Sequence, residues 1–344
     1  MKRSGRRPKN SSVLLDPQQP EIEAELKKSF DHRDSPLYNL LRYHLGWVDP
    51  KGNPVEADRG KALRPTLCLL ACEAVGGRPW QALPAAAALE LLHNFTLIHD
   101  DVQDEDLERR HRPTVWAIWG KPQAINAGDA MHTLAALTIL KLGERGISTQ
   151  KTLKAIQILE ESCLRVIEGQ YLDLSFEYKL DTRVEAYLEM VERKTASLFE
   201  AAVWIGALLG TEDERLIAGL RGYGRELGLA FQIRDDILGI WGGEEKTGKR
   251  AASDIRRRKK TLPVVYALER SERLRQLYQK EELQAKEVSL AVEILEHSGS
   301  QDFAQQLAQE HCHRALAELA GLPLVTQAKE RLEALASFST QREF

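Results

Sequence analysis

Between Leu83 and Arg110 the chain reads LPAAAALELLHNFTLIHDDVQDEDLERR, an apolar run that drives into five carboxylates: Asp100, Asp101, Asp104, Glu105 and Asp106. The spacing predicts one helix from about Pro84 to Arg110, with proline in its first turn and a length of roughly 40 Å. Its first half is apolar on nearly every face and belongs in a core. Asp100 and Asp104 are four residues apart, so they project from one face with β-carbons ~5–6 Å apart. In water such a pair costs only a few tenths of a kcal/mol. Withdrawn from water without a partner, each ionised carboxylate would cost several kcal/mol. The partner should be cationic, and a divalent metal suits two oxygen donors.

One acidic cluster can be a solvated face, but this chain builds two. LGLAFQIRDDILGIWGG, residues 227–243, again sets a carboxylate pair, Asp235 and Asp236, among apolar residues at helical spacing. A basic stretch follows each pair: Arg109 and Arg110 after the first, KTGKRAASDIRRRKKTLP (246–263) after the second. Upstream, GKALRP (60–65) places Lys61 and Arg64 near a helix start. Acid clusters with several Lys and Arg suit a diphosphate held through bridging Mg²⁺, whose remaining oxygens bind the cations. The spacing excludes an EF-hand, and the chain has no GxxxxGK[ST] phosphate loop.

Helical periodicity continues almost everywhere. TLCLLACEAVGG stops at a glycine pair, AGDAMHTLAALTILKLGERG and SLFEAAVWIGALLG repeat the pattern, and SLAVEILEHSGSQDFAQQLAQEHCHRALAELAG reads as two more amphipathic helices. Alternating β-branched runs are missing, so no sheet is expected. With 344 residues, 43% of them apolar, the chain can bury a substantial core. The reading is an all-α fold of ten or more helices, one domain over residues 13–344, after a disordered basic tail at 1–12. A net charge of −3 gives no global case for nucleic acid or a membrane surface. No run reaches the ~18 apolar residues of a membrane span. The four cysteines, Cys68, Cys72, Cys163 and Cys312, are too few for a disulfide framework and suit a reducing cytoplasm. Cys68 and Cys72, one turn apart, should pack as small hydrophobes. In the HCH tripeptide at 311–313, adjacent helical positions point in different directions, which argues against a metal site.

Five motifs in order, over about residues 35–300, resemble the trans-isoprenyl diphosphate synthases, the polyprenyl synthetase family. GKALRP resembles GKxxRP, and DDVQDEDLERRHRPT matches DDxxDxxxxRRxxPT. GQYLDL (169–174), RKTASLF (193–199) and FQIRDDILGIWGGEEKTGKRAASDIRRRKKTLP complete the series. The resemblance implies the helical isoprenoid synthase fold, a homodimer, and Mg²⁺-dependent condensation of isopentenyl diphosphate with an allylic diphosphate. It further implies three Mg²⁺ per active site, with Mn²⁺ able to replace them. By the same resemblance Asp100, Asp104 and Asp235 are the metal ligands, while Asp101, Asp173 and Asp236 hold metal-bound waters. Arg109, Lys194, Thr195, Gln232, Lys249 and Lys259 then contact the allylic diphosphate or close over it. Lys61, Arg64, His93 and Arg110 hold isopentenyl diphosphate. The apolar run behind Asp100 would wall a dry slot for the hydrocarbon tail. Phe95 and Thr96, five and four residues before Asp100, are the expected chain-length positions. A single aromatic there points to a geranylgeranyl (C20) product, with farnesyl (C15) as the alternative.

Three positions depart from the family pattern: Gly239 stands where a third aspartate is common, Ala62 where arginine is frequent, and His111 where glycine is frequent. None removes an expected metal ligand. Two other readings remain. A class I terpene cyclase would not need Lys61, Arg64, His93 and Arg110, and a non-catalytic subunit of a heteromeric synthase would not need both aspartate pairs.

Overall fold

The computed structural model describes residues 18–341, apart from 56, 59, 178 and 243–251. The basic tail expected at 1–12 and Lys249 lie outside the described residues. The chain clusters into two compact units: Met1–Leu159 with Ile205–Glu212 and Leu324–Ala328, and Glu160–Trp204 with Asp213–Pro323 and Lys329–Phe344.

In chain order the helices are α1 (Gln19–Lys28), α2 (Pro36–His44), α3 (Leu63–Ala74), α4 (Pro79–Gln103), α5 (Val115–Trp119), α6 (Lys121–Ile139), α7 (Thr149–Glu177), α8 (Val184–Val191), α9 (Ser197–Gly210) and α10 (Glu214–Trp241). Then come α11 (Ser253–Arg256), α12 (Leu262–Leu268), α13 (Glu272–Tyr278), α14 (Ala285–His297), α15 (Ser300–Leu319) and α16 (Thr326–Gln341). The all-α expectation holds, with one small correction. Two-residue strands β1 (Glu108–Arg109) and β2 (Arg112–Pro113) pair antiparallel between α4 and α5. The two residues joining them, Arg110 and His111, have φ of 51° and 59°, the left-handed geometry of a tight hairpin turn.

The first unit is built on α4. Leu89, Leu91, Leu92 and the run Ala85–Ala88 are sealed from solvent, as an all-round apolar helix should be. The helix starts earlier than Pro84, at Pro79, whose fixed φ suits the first turn, and Pro84 lies inside it. It also ends earlier than Arg110. Asp104 is its C-cap, Glu105 turns left-handed at φ 55°, and the Asp106 N–H donates to the Asp101 carbonyl at 3.0 Å. This is a Schellman stop, with glutamate where glycine is commoner. Cys68 and Cys72 are buried on α3. A Cβ on Gly206 would lie 2.1 Å from the Cys68 carbonyl oxygen, so backbone meets backbone there.

The second unit is built on α10, which Asp213 caps by accepting from the N–H groups of Arg215 and Leu216. Ile233 and Ile237 join one apolar cluster with Tyr187, Leu262 and Val265, and Ile240 joins another with Val264 and Leu268. The tripeptide at 311–313 diverges as expected: His311 bonds Glu226 at 2.7 Å, Cys312 is buried and His313 is exposed.

Candidate active site

In the first unit α4 carries His93, Thr96, Asp100 and, at its cap, Asp104. The Asp104 N–H donates to the Asp100 carbonyl at 2.8 Å, so helical spacing persists through the pair despite the early stop. Asp101 points the other way and is 1% exposed. Its Oδ1 accepts from both Nε and Nη2 of Arg109 at 2.7 Å. Burial pushes this carboxyl up to about 6 against the pull of Arg109. Its Oδ2 is sealed from water and has no hydrogen-bond partner.

The hairpin turn puts Arg109 and Arg110 on different errands. Arg110 is largely buried, and desolvation lowers its pKa. Its guanidinium fills the space beside Gly60, where a Cβ would lie 2.6 Å from Nη2. Gly60 has φ 80°, and its N–H donates to Asp58 at 2.8 Å. The GK segment and the second arginine therefore meet because position 60 has no side chain. Lys61 is exposed and Arg64 half-buried in the first turn of α3. A cavity of about 280 Å³ opens beside Gly60, Ala62 and Glu90, with Trp47 and Leu45 on its apolar wall.

His93 sits among these cations. Burial, then Arg64, Arg110 and Arg109, holds its imidazole well below the usual histidine range. It is neutral at pH 7 and can donate or accept one hydrogen bond at each nitrogen, but it adds no charge. Thr96 turns its hydroxyl back to the His93 carbonyl at 2.7 Å. Phe95 is buried, with its ring 4.9 Å from that of His99 and 5.2 Å from that of His132.

Sequence reasoning missed the residues that brace this half. His44 on α2 is held neutral by burial and by Arg110 and Arg109. Arg112 donates to the carbonyls of Tyr43 and Val48 at 3.0 and 2.8 Å, and Tyr43 donates to the Pro113 carbonyl at 2.7 Å. These bonds tie the hairpin to α2. Only the arginine-rich run RRHR hinted at them.

In the second unit the buried member of the pair is Asp236, 3% exposed. It faces no arginine. Its Oδ2 accepts from the Tyr187 hydroxyl at 2.6 Å and the Leu262 N–H at 3.0 Å, and its Oδ1 from Gln232 Nε2 at 2.9 Å. Gln232 in turn accepts from the Thr195 hydroxyl at 2.9 Å. Burial raises Asp236 to about 7, and these neutral donors restrain the shift. Asp235, the preceding residue on α10, is half-buried.

Lys194 and Thr195 lie in a π-helical turn, Glu192–Ala196. Such turns widen a helix by one residue and often mark functional positions. Lys194 donates to Asp173 Oδ2 at 2.5 Å. A Cβ on Gly169 would lie 2.3 Å from the Lys194 nitrogen, so the first glycine of GQYLDL lets the turn approach α7. Lys259 is half-buried and fixed through its N–H to the Asp254 carbonyl at 2.8 Å. Lys260 caps α7, donating to the carbonyls of Phe176, Glu177 and Lys179. Tyr187, Leu262 and Lys260 were not foreseen, because a backbone N–H and a tyrosine on another helix leave no mark near an aspartate pair.

The donors fit Mg²⁺. That ion takes hard oxygen ligands at octahedral positions, with one or two carboxylates and the rest from water and phosphate. The unpartnered, buried Oδ2 of Asp101 is an acceptor that a metal-bound water would satisfy.

A family model for polyprenyl synthetase matches residues 53–295. A (2E,6E)-farnesyl diphosphate synthase of Mycobacterium tuberculosis is 37% identical over 330 residues, covering 94% of this chain and 90% of the relative. A geranylgeranyl diphosphate synthase of the same organism is 39% identical over 312 residues, covering 89% and 88%. Among solved structures, a polyprenyl synthetase from Streptomyces coelicolor A3(2) superposes with a TM-score of 0.89 at 37% identity, covering 96% of this chain and 99% of that one.

Proposed function

This chain belongs to the polyprenyl synthetase family, and from that premise we propose that it is a short-chain prenyltransferase joining isopentenyl diphosphate head-to-tail to an allylic diphosphate. The observation that carries the reading is that both units hold a half-buried aspartate beside a sealed one, with Arg109 and Arg110 in one unit and Lys194 and Lys259 in the other.

Asp100, Asp104 and Asp235 would hold Mg²⁺, which supplies positive charge against the departing pyrophosphate. Asp101, Asp173 and Asp236 would support metal binding by holding metal-bound waters. Arg109, Lys194, Thr195, Gln232, Lys249 and Lys259 would hold the allylic diphosphate, and cationic and hydrogen-bonding groups that meet the charge developing on it lower the barrier to its release. Lys61, Arg64, His93 and Arg110 hold isopentenyl diphosphate. The neutral His93 orients that diphosphate by hydrogen bonding, while the arginines carry the charge. Once the allylic cation forms, the double bond of isopentenyl diphosphate attacks it and a proton leaves to the released pyrophosphate. The apolar face of α4 keeps water from the cation.

Phe95 limits the tail, and geranylgeranyl diphosphate is the proposed product, with farnesyl diphosphate the alternative. The active form is a homodimer: Leu164, Ile167 and Tyr171, exposed by 58, 50 and 71%, share one face of α7 and call for a covering surface. The four buried, unpaired cysteines support a cytoplasmic setting, and among the described residues no helix is long and apolar enough to cross a membrane.

The test is incubation of the purified chain with Mg²⁺, labelled isopentenyl diphosphate and allylic primers of five, ten or fifteen carbons, with products sized by chromatography. Label in a C15 or C20 diphosphate is the expected result. Release of an unlabelled hydrocarbon would indicate a cyclase, and no turnover by the chain alone would indicate a partner-dependent subunit.

A further inference from the structure

Lys259 and Lys260 are neighbours in the chain, and only Lys259 has been given a substrate role. Lys260 has a different occupation. Its ammonium donates to the carbonyl oxygens of Phe176 and Glu177 at 2.5 and 2.9 Å, and to that of Lys179. Phe176 and Glu177 end α7, and terminal carbonyls lack partners within a helix and carry the negative end of its dipole. An ammonium has three N–H donors, and here each finds an acceptor. The side chain is half-buried, a costly place for a cation unless its charge is met. Glu177 on α7 and Asp181 beyond it meet that charge, while Arg258 on its own segment opposes it. Burial, then Arg258, lowers the Lys260 pKa to about 8 against the pull of the two carboxylates.

The grip matters because of what stands at either end. On α7, Asp173 lies one turn before Glu177 and accepts from Lys194 at 2.5 Å. The segment that carries Lys260 is pinned on both sides of it. Arg258, left-handed at φ 56°, donates to the carbonyls of Tyr278 and Glu281 at 2.8 Å. The Lys259 N–H donates to the Asp254 carbonyl at 2.8 Å, and the Leu262 N–H to Asp236 Oδ2 at 3.0 Å. A segment fixed at 258, 259 and 262 cannot slide when Lys260 seats on α7. The seat therefore sets where Lys259 stands relative to Asp173 and Lys194.

We propose that Lys260 is a positioning residue for prenyl transfer: its ammonium, seated on the end of α7, holds Lys259 and the Asp173–Lys194 pair in the mutual geometry that grips the allylic diphosphate. This rests on the reading of Lys194 and Lys259 as allylic diphosphate ligands. The test compares the wild type with K260M, which keeps the stem and loses the donors, and K260R, whose guanidinium keeps its charge in alkali. Prenyl transfer is measured with each substrate varied in turn, across a pH range that brackets about 8. Folding is followed by circular dichroism and thermal melting.

K260M should raise KM for the allylic diphosphate about ten- to hundredfold, the scale of a misplaced binding group, while KM for isopentenyl diphosphate stays within about twofold. A merely structural lysine would lower the melting temperature and the active fraction without separating the two substrates. In the wild type, kcat/KM for the allylic substrate should fall above about pH 8, as the amine loses a proton and one carbonyl loses its donor. K260R should move that limb upward by about one unit or more. An unchanged allylic KM in folded K260M refutes the role of Lys260 and leaves the site reading standing. A wild type that transfers no prenyl group overturns the site reading and the proposal with it. If K260M does not fold, the alkaline limb decides, and an identical limb in K260R and the wild type refutes the role.

Discussion

Asp101 and Asp236 hold the same place in the two motifs, second of an aspartate pair and sealed from water, but they are answered by different chemistry. Asp101 is met by the Arg109 guanidinium through two nitrogens on one oxygen. Asp236 is met by a tyrosine hydroxyl, a glutamine amide and a backbone N–H. A cation favours the ionised acid strongly, whereas neutral donors favour it only in part. Burial is what raises both carboxyls, to about 6 and about 7, against the pull of these partners. The first half is a charged clamp whose members depend on one another, and the second is a polar frame that tolerates either protonation state.

The largest test of this pairing removes the proposed metal ligands. D104A and D235A should each lower kcat/KM for prenyl transfer on the order of a thousandfold, several kcal/mol of lost charge stabilisation, with thermal melting unchanged. Near-normal turnover in one variant would mean that its aspartate holds no metal that the reaction needs.

The next effect should separate clamp from frame. R109M strands Asp101 without its cation. Arg109 is itself 29% exposed, so the loss is discounted from the buried-pair range to about 2–4 kcal/mol. Y187F removes one of three neutral donors to Asp236 and should cost about 1–1.5 kcal/mol. Urea denaturation measures both, and R109M/D101N should recover part of the first loss. Equal losses for R109M and Y187F would erase the distinction.

How much of this was legible beforehand follows the same divide. The helices, the aspartate pairs and the lysines and arginines near them showed in the sequence, because periodicity and charge are local. The end of α4 did not, because Glu105 and His111 take left-handed geometry with no glycine to announce it. Nor did Tyr187, Leu262 or His44, whose chemistry comes from elements far along the chain.

Protonation sharpens the comparison by a smaller amount. Both carboxyls titrate higher folded than unfolded, so their contribution is fully present below about 4 and is lost as pH rises through about 6 and about 7. Metal-free protein should therefore lose about 1–1.5 kcal/mol of stability between pH 6 and 8 from Asp236, and less from Asp101, which is mostly ionised by pH 7. Urea midpoints across this range should flatten in D236N and change little in D101N. The reverse order would show that Arg109, not the neutral frame, sets the higher value.

The smallest effect concerns what carries the basic residues away from each acid pair. After the first pair the chain turns through Arg110 and His111 at positive φ, and after the second through Ala252 and Arg258. Left-handed geometry disfavours any residue with a Cβ, whereas glycine takes it freely at a higher entropy of unfolding. The His111 side chain is exposed, so little packing opposes its removal. H111G should stabilise the protein by about 0.5–1 kcal/mol, read as a higher melting temperature, and should leave kcat and KM unchanged because Arg109 and Arg110 keep their places. A252G should be no better than neutral, since Ala252 is buried and its methyl group would be lost with the strain. A destabilised H111G would show that the histidine holds the hairpin through its side chain, making the first clamp the more elaborately supported of the two.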